Sequence, residues 1–189
     1  NPQQSGAPLI IEKLSKVIVI DHHRRSENFI DNPLLVYVES GASSVSELVT
    51  ELLPYQTQKV DVCEEEATIM YLGILIDTNR FKSRTGSRTF EAAAVLKKMG
   101  VDPITAENLL KEDFCDFEAK TQVLKYARKY NGSTIIAAVE DKQILSRTLM
   151  SQVADQLLNI KGIEAAFVIA KIDEETSAVS ARSKGVMNV

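Results

Sequence analysis

Cysteine, histidine, glycine and proline are all scarce in this 189-residue chain: two, two, eight and five residues. Cys63 and Cys115 stand alone, without the close spacing of a thiolate metal site, and reduced thiols in a cytoplasmic compartment are the expected state. No run of 18 apolar residues occurs, which excludes a transmembrane helix within the sequence. There is no signal peptide and no initiator methionine. The start, Asn1-Pro2-Gln3-Gln4, leads to the expectation of an excised piece of something longer. Positive charge is not in excess: the net charge is −4, so the field of the whole molecule does not attract polyanions, and an anionic substrate needs local cations or bound metal. Internal repeats and low-complexity tracts are absent. What remains, with 44% hydrophobic residues, is the composition of a soluble globular protein, enough for one domain with a real core or one domain plus part of another.

The two histidines are adjacent. Lys16 to Ile20 is an apolar, β-branched run that ends in Asp21-His22-His23. Such a run reads as a strand buried on both faces, typical of a parallel sheet, and in open α/β sheets ligands bind at the carboxyl ends of strands. Imidazole is a common metal ligand, and a neighbouring carboxylate can fix its tautomer. The same three residues would serve as well as a surface turn after a core strand.

Leu34 to Val38 is a second short strand. Ser44 with Glu47 makes a capping box, followed by Val45, Leu48, Val49, Leu52 and Leu53 at helical spacing up to Pro54. Asp61 can cap the next helix, Glu64 to Glu66 suit its first turn, and Ala67 to Ile76 is apolar nearly all round, which predicts a buried helix. That helix runs into Asp77, a carboxylate at a helix C-terminus, where the dipole favours a bound cation; an ordinary loop aspartate is the alternative. Lys82 to Arg88 is a basic loop whose Arg84 and Arg88 suit phosphate, or simply solvent. Ser87 is placed to cap a helix from Thr89 to Met99, and Asp102-Pro103 opens another to about Leu110. A helix is predicted over Asp116 to Tyr130. Then the pattern changes to a strand (Ser133 to Val139), a helix (Ser146 to Ile160, with Leu149, Val153, Leu157 and Ile160 inward), and two strands (Ala165 to Ile172, Ser177 to Arg182) flanking a turn at Asp173 to Thr176.

With Asp21-His22-His23-Arg24-Arg25 and the later Asp77-Thr78, the chain resembles the DHH phosphoesterase superfamily. The segments Asn32 to Glu39, Ser46 to Leu53 and Arg84 to Ala93 narrow the resemblance to GdpP-like, membrane-anchored cyclic-di-AMP phosphodiesterases. Ala154 to Leu158, Phe167 to Ala170 and Ser180 to Ser183 resemble the DHH-associated domain of those proteins. The fold so implied is α/β: a partial, parallel-sheet DHH domain over 1–115, a connecting helix over 116–131, and a smaller, partial α/β DHH-associated substrate-binding domain over 132–189. Three family motifs find no match: a His with two Asp near the start, a second Asp motif that would fall before Asn1, and a Gly-rich, His-containing motif that would lie beyond Val189. The expectation is a chain cut at both ends and inactive by itself.

The resemblance implies two Mn²⁺ ions in the complete protein, with His22 and Asp77 as metal ligands, Asp21 orienting the imidazole, and His23 facing the reacting phosphate. His22, His23 and Asp77 are then the catalytic set. Arg84, Arg88, Ser180 and Arg182 would join His23 in binding substrate, in a cleft between the two domains. Two metals can deprotonate an attacking water and neutralise phosphodiester charge. The implied reaction is hydrolysis of cyclic di-AMP to linear pApA, at the cytoplasmic face of the cell membrane, with no long nucleic acid as partner; the resemblance allows a homodimer. Alternatives are a RecJ-like or short-oligonucleotide exonuclease, or a non-catalytic nucleotide-sensing module. A pyrophosphatase carries a different second domain, and Ser180-Ala181-Arg182-Ser183 argues against it.

Overall fold

A computed structural model of the chain describes residues 7–11, 13–24, 29–58, 60–139 and 143–185. Residues 1–6, and the Arg25 that follows Arg24, lie outside the described residues. The chain divides into two compact units, 1–111 and 112–189.

The first unit begins with a single turn, α1 (Pro8–Ile11), and two parallel strands, β1 (Ile18–Asp21) and β2 (Leu35–Val38), in register from Ile18 opposite Leu35 to Asp21 opposite Val38. The expectation that β1 is buried on both faces fails: Ile18 is 58% exposed, and Leu35 and Val36 are exposed as well. A central strand is buried by neighbours on both edges and layers on both faces, and among the described residues this sheet has two strands.

Four helices come next: α2 (Val45–Leu52), α3 (Glu64–Asp77), α4 (Ser87–Lys98) and α5 (Pro103–Leu109). Leu53–Tyr55 is a 3₁₀ turn that takes Pro54 into its first positions. Ser44 caps α2 by accepting from the backbone N–H of Glu47 (3.0 Å), but the Glu47 side chain does not return the bond. The cap of α3 is Cys63 and not Asp61; Glu66 supplies the reciprocal bond to the Cys63 N–H (3.0 Å). The α4 helix starts two residues earlier than its spacing suggested, with Gly86 in the capping position and Ser87 already helical. The threonine at its third position, Thr89, accepts from the Gly86 N–H (3.1 Å).

The α3 helix is not buried all round. Ala67 and Ile74 join Ala92, Leu96 and Val101 in the core, with Tyr71 and Phe81 against them, while Ile69 and Ile76 face out. A β-carbon on Gly73 would meet Ser46 Oγ at 2.2 Å, so glycine is what lets α3 lie this close to α2.

The second unit opens with α6 (Phe114–Leu124). The helix expected to reach Tyr130 stops there. Ala127–Tyr130 is strand β3, because its alternation lets it pair antiparallel with β4 (Thr134–Ala138) across the Asn131-Gly132 turn. The helix α7 (Arg147–Leu158) connects β4 to a parallel neighbour, β5 (Ala165–Lys171), and β6 (Ser177–Ser183) returns antiparallel, giving the order β3-β4-β5-β6. Met150, Val153, Ala154 and Leu157 of α7 pack with Ile135, Ala166 and Val168 of the sheet. Ile160, expected inward, lies beyond the end of α7 and is exposed. The class is therefore mixed α/β, with parallel pairing in both units.

Candidate functional site

Asp21 is the last residue of β1, so the backbone leaves the sheet carrying Asp21, His22 and His23 in succession. His22 is buried at 7% exposure, and its Nε2 lies 3.6 Å from Asp77 Oδ2 at the end of α3. That separation is too long for a hydrogen bond; the nitrogen and the oxygen are near neighbours that do not bond each other. His23 is mostly exposed and meets the His22 ring edge-on, with centroids 4.3 Å apart.

Asp21 orients His23, not His22 as expected. Its Oδ1 accepts from the His23 backbone N–H (3.0 Å) and lies 2.8 Å from His23 Nδ1. Partial burial works to raise the Asp21 pKa, but the bonds from His23 outweigh it and hold the carboxyl below its ordinary value. A carboxylate only accepts, so Nδ1 carries the hydrogen and Nε2 is left as the working nitrogen of His23.

The residues after Asp77 fix its place. Thr78 is fully buried: its hydroxyl donates to the Ile74 carbonyl (2.6 Å) and accepts from the Phe81 N–H (3.0 Å), while its own carbonyl accepts from the N–H groups of Lys82 and Ser83 (2.9 Å each). Around this anchor Asn79, Arg80 and Phe81 take φ of 47°, 57° and 60°, three successive left-handed residues without a glycine. Such a run persists only where its surroundings over-determine it. Besides Thr78, the Arg80–Glu107 ion pair (2.8 Å) and the stacking of Phe81 on Phe90 (5.4 Å) do so.

The two histidines border a cleft of about 810 Å³ in the first unit, lined by His22, His23 and Arg24 on one side, Ser40 to Ala42 on another, and Arg84 to Gly86 on a third. Gly86 caps α4, and Ala42 lies two residues before the cap of α2, so the positive ends of two helix dipoles are close by. Arg24 and Arg84 have no acidic partner among the described residues. Two unneutralised guanidinium groups on one cleft of a net-negative chain make a local site for an anion.

The other arginines are engaged. Arg88 donates to both oxygens of Glu51 (2.8 and 2.7 Å) and is absent from the cleft lining. The bonds to Arg88 hold the Glu51 carboxyl below its ordinary value, and Glu51 raises Arg88 in turn. In the second unit Arg182 donates to Asp155 Oδ1 (2.8 Å), to Ser151 Oγ and to the Ala181 carbonyl (3.0 Å). Ser180 lines a small hollow of about 90 Å³ with Arg147 and Met150. Of the expected site residues, the structure thus gathers His22, His23, Asp77 and Arg84, with Asp21 behind His23. Sequence reasoning gave no role to Arg24 or to the Ser40 to Ala42 wall. The doubled arginine after His23 was the available signal for the first.

Residues 3–74 match the family model described as DHH family, N-terminal domain. This part of the chain is similar to the DHH family. The matched segment includes β1, the two histidines and most of α3. Over 182 residues the chain is 41% identical to cyclic-di-AMP phosphodiesterase GdpP of Bacillus subtilis (strain 168), an alignment covering 95% of this chain and 28% of that protein. It is 39% identical over 180 residues to cyclic-di-AMP phosphodiesterase PdeA of Listeria monocytogenes serotype 1/2a (strain 10403S), covering 95% and 27%. The chain therefore spans little more than a quarter of the length of these curated relatives. An exopolyphosphatase-related protein from Bacteroides fragilis superposes with a TM-score of 0.81 at 19% identity, over 98% of this chain and 56% of that one, a likeness of fold alone.

The donor chemistry of His22 and Asp77 fits a divalent cation: one imidazole nitrogen and one carboxylate oxygen, adjacent and not bonded to each other. Among the described residues no third His, Cys, Asp or Glu completes a ligand group with them.

Proposed function

We propose that this chain is the catalytic region of a metal-dependent phosphodiesterase that hydrolyses cyclic di-AMP to linear pApA. The observation that carries the reading is the His22–Asp77 pair beside a cleft that holds Arg24 and Arg84, neither with an acidic partner among the described residues. The naming of both curated relatives as cyclic-di-AMP phosphodiesterases supports the choice of substrate. In this reading the first unit is the DHH domain and the second a substrate-binding associated domain, and the protein works at the cytoplasmic face of a membrane.

His22 Nε2 and Asp77 Oδ2 would hold the metal, Mn²⁺ by this reading, as part of a site for two ions. When bound, the metals lower the pKa of a water and offset phosphodiester charge. The chain's own groups do the rest. Arg24 and Arg84 bind non-bridging phosphate oxygens, and the α2 and α4 termini add favourable field. His23, with Nδ1 committed to Asp21, presents Nε2 to the phosphate, where it can hold or release a proton at a phosphate-side oxygen. Ser180 and Arg182 are proposed as substrate contacts from the second unit; Arg182 must then leave Asp155 for the phosphate. Arg88, with its fork filled by Glu51, is better placed to support the cleft than to touch substrate.

The test is hydrolysis by a complete protein that carries this region, as wild type and as Asp77→Asn, offered cyclic di-AMP, linear dinucleotides and pyrophosphate with Mn²⁺. The expected result is preference for cyclic di-AMP, and a loss of several orders of magnitude in Asp77→Asn, since metal catalysis supplies several kcal/mol of transition-state stabilisation. Preference for linear dinucleotides would turn the assignment to an oligonucleotide exonuclease. Undiminished activity in Asp77→Asn would remove Asp77 from the site.

A further inference from the structure

Glu47 is a carboxylate at 1% exposure, on the first turn of α2. A charge in that position is costly unless partnered. Its partners are the Ser43 hydroxyl, which donates to Oε2 at 2.5 Å, and Arg88, whose Nε is 3.9 Å from Oε1. Arg88 in turn grips Glu51, one turn further along α2, with both arms of its fork. As a means of joining α2 to α4 this is a poor choice, because a well-packed apolar pair stabilises as much without the desolvation cost.

The arrangement makes sense from what it is attached to. Ser43 directly succeeds Ala42, and Arg88 sits two residues after Gly86, so both ends of the network continue into the cleft lining. The links run Ala42, Ser43, Glu47, Arg88, Gly86, from one wall to the other. The far wall needs such a hold. Arg84 has φ of 51°, a left-handed conformation for a residue with a β-carbon, and the Thr85 hydroxyl turns back to the Ser83 carbonyl (3.0 Å).

We propose that Glu47, Arg88 and Glu51 form a positioning clamp that fixes the Arg84–Gly86 wall against the Ser40–Ala42 wall, and so sets where Arg84 meets the substrate. Arg88 is then a positioning residue and not a phosphate ligand. The clamp itself is a statement about the two walls; its effect on catalysis rests on the proposed phosphodiesterase reading.

Arg88→Lys removes the bidentate fork, and Glu51→Gln removes one charge with almost no change of shape. Hydrogen exchange followed by mass spectrometry reads the walls directly. Both variants are expected to exchange faster over residues 40–43 and 84–87, with the centre of α3 unchanged. Steady-state kinetics of the complete protein with cyclic di-AMP reads the consequence: KM rises by about tenfold while kcat stays within about twofold, the signature of a binding group moved out of place. A double-mutant cycle separates the roles. If Arg88 acts through the wall, Arg88→Lys has no further effect on KM once Arg84 is alanine. Additive effects would return Arg88 to the substrate and overturn the clamp, as would unchanged exchange at both walls or a fall in melting temperature with KM unaltered. Should Arg88→Lys not fold, Glu51→Gln carries the same readouts. Faster exchange at both walls in a protein that never hydrolyses cyclic di-AMP would uphold the clamp and overturn the substrate reading instead.

Discussion

Arg24, Arg84 and Arg182 are chemically identical and structurally different. The first two have no acidic partner among the described residues, so an anion that reaches them displaces water and little else. Arg182 must first give up Asp155 and Ser151. Replacing Arg24 or Arg84 with alanine is therefore expected to weaken cyclic di-AMP binding by roughly 1.5–3 kcal/mol, the range for hydrogen bonds to charged groups, and Arg182→Ala by less. Calorimetry with a non-hydrolysable analogue orders the three; a larger loss at Arg182 would reverse the ranking of the cleft and the second unit. Thr78 makes a different demand. Thr78→Val keeps the shape but leaves the Phe81 N–H without its acceptor inside the protein. A cost of about 1–3 kcal/mol in urea unfolding is expected, together with weaker metal binding at Asp77, because the adjoining left-handed turn loses its anchor. Unchanged stability would mean that the turn is held by Arg80 and Phe81 alone.

At the scale of elements, the first unit depends on how α2, α3 and α4 meet. The α2–α3 approach is set by Gly73, and the α2–α4 contact by charge. Glu51 has a pKa below its ordinary value of 4.5, because its bonded partner Arg88 favours the carboxylate. A carboxyl lowered on folding stabilises above its unfolded pKa, and that contribution is lost as pH falls through the lower, folded value. Buried Glu47, with Oε1 3.9 Å from Arg88 Nε, shares the same field. The contribution of the Glu51–Arg88 pair is thus full at neutral pH and is expected to decline only below about pH 4.5. In Glu51→Gln the part of that decline belonging to this pair should vanish, leaving a shallower acid limb in a thermal melt series. An identical limb in both proteins would show that the pair contributes nothing. The pair is part-exposed, so its share is on the order of 1 kcal/mol or less.

At the scale of the whole molecule, the junction between the units is a run of exposed residues, Lys111 to Phe114, between α5 and α6. Boundaries of this kind are where proteases enter first. Limited trypsin digestion is expected to cut after Lys111 before any site inside a helix or strand, and to release two fragments that keep their secondary structure by circular dichroism. Initial cleavage within α3 or β5 would contradict the division into two independently cored units. The separate apolar clusters around Ile74 and Val168 are the reason to expect it.

The sequence by itself determined most of the elements and marked His22, His23 and Asp77 as candidates for the site. Strand-like runs, capping residues and helical periodicity are local properties, and so is the abrupt Asp-His-His after an apolar run. Most errors fell at ends and edges. Periodicity extends a helix to Tyr130 because the pairing with Thr134 depends on a turn that periodicity does not encode. Ile18, Ile69 and Ile76 read as interior in the sequence, because hydrophobicity does not reveal which face finds a neighbour, and all three are exposed. What only the tertiary structure decided is partnership. Arg84 and Arg88 lie four residues apart in one basic loop and helix start. One turns to an open cleft and the other to Glu51, a residue 37 positions earlier on α2. Asp21 likewise chose between two neighbouring imidazoles by the direction in which the chain leaves β1. Charge and hydrogen bonding act over a few ångströms of space, and the fold brings those few ångströms together from segments far apart in the chain.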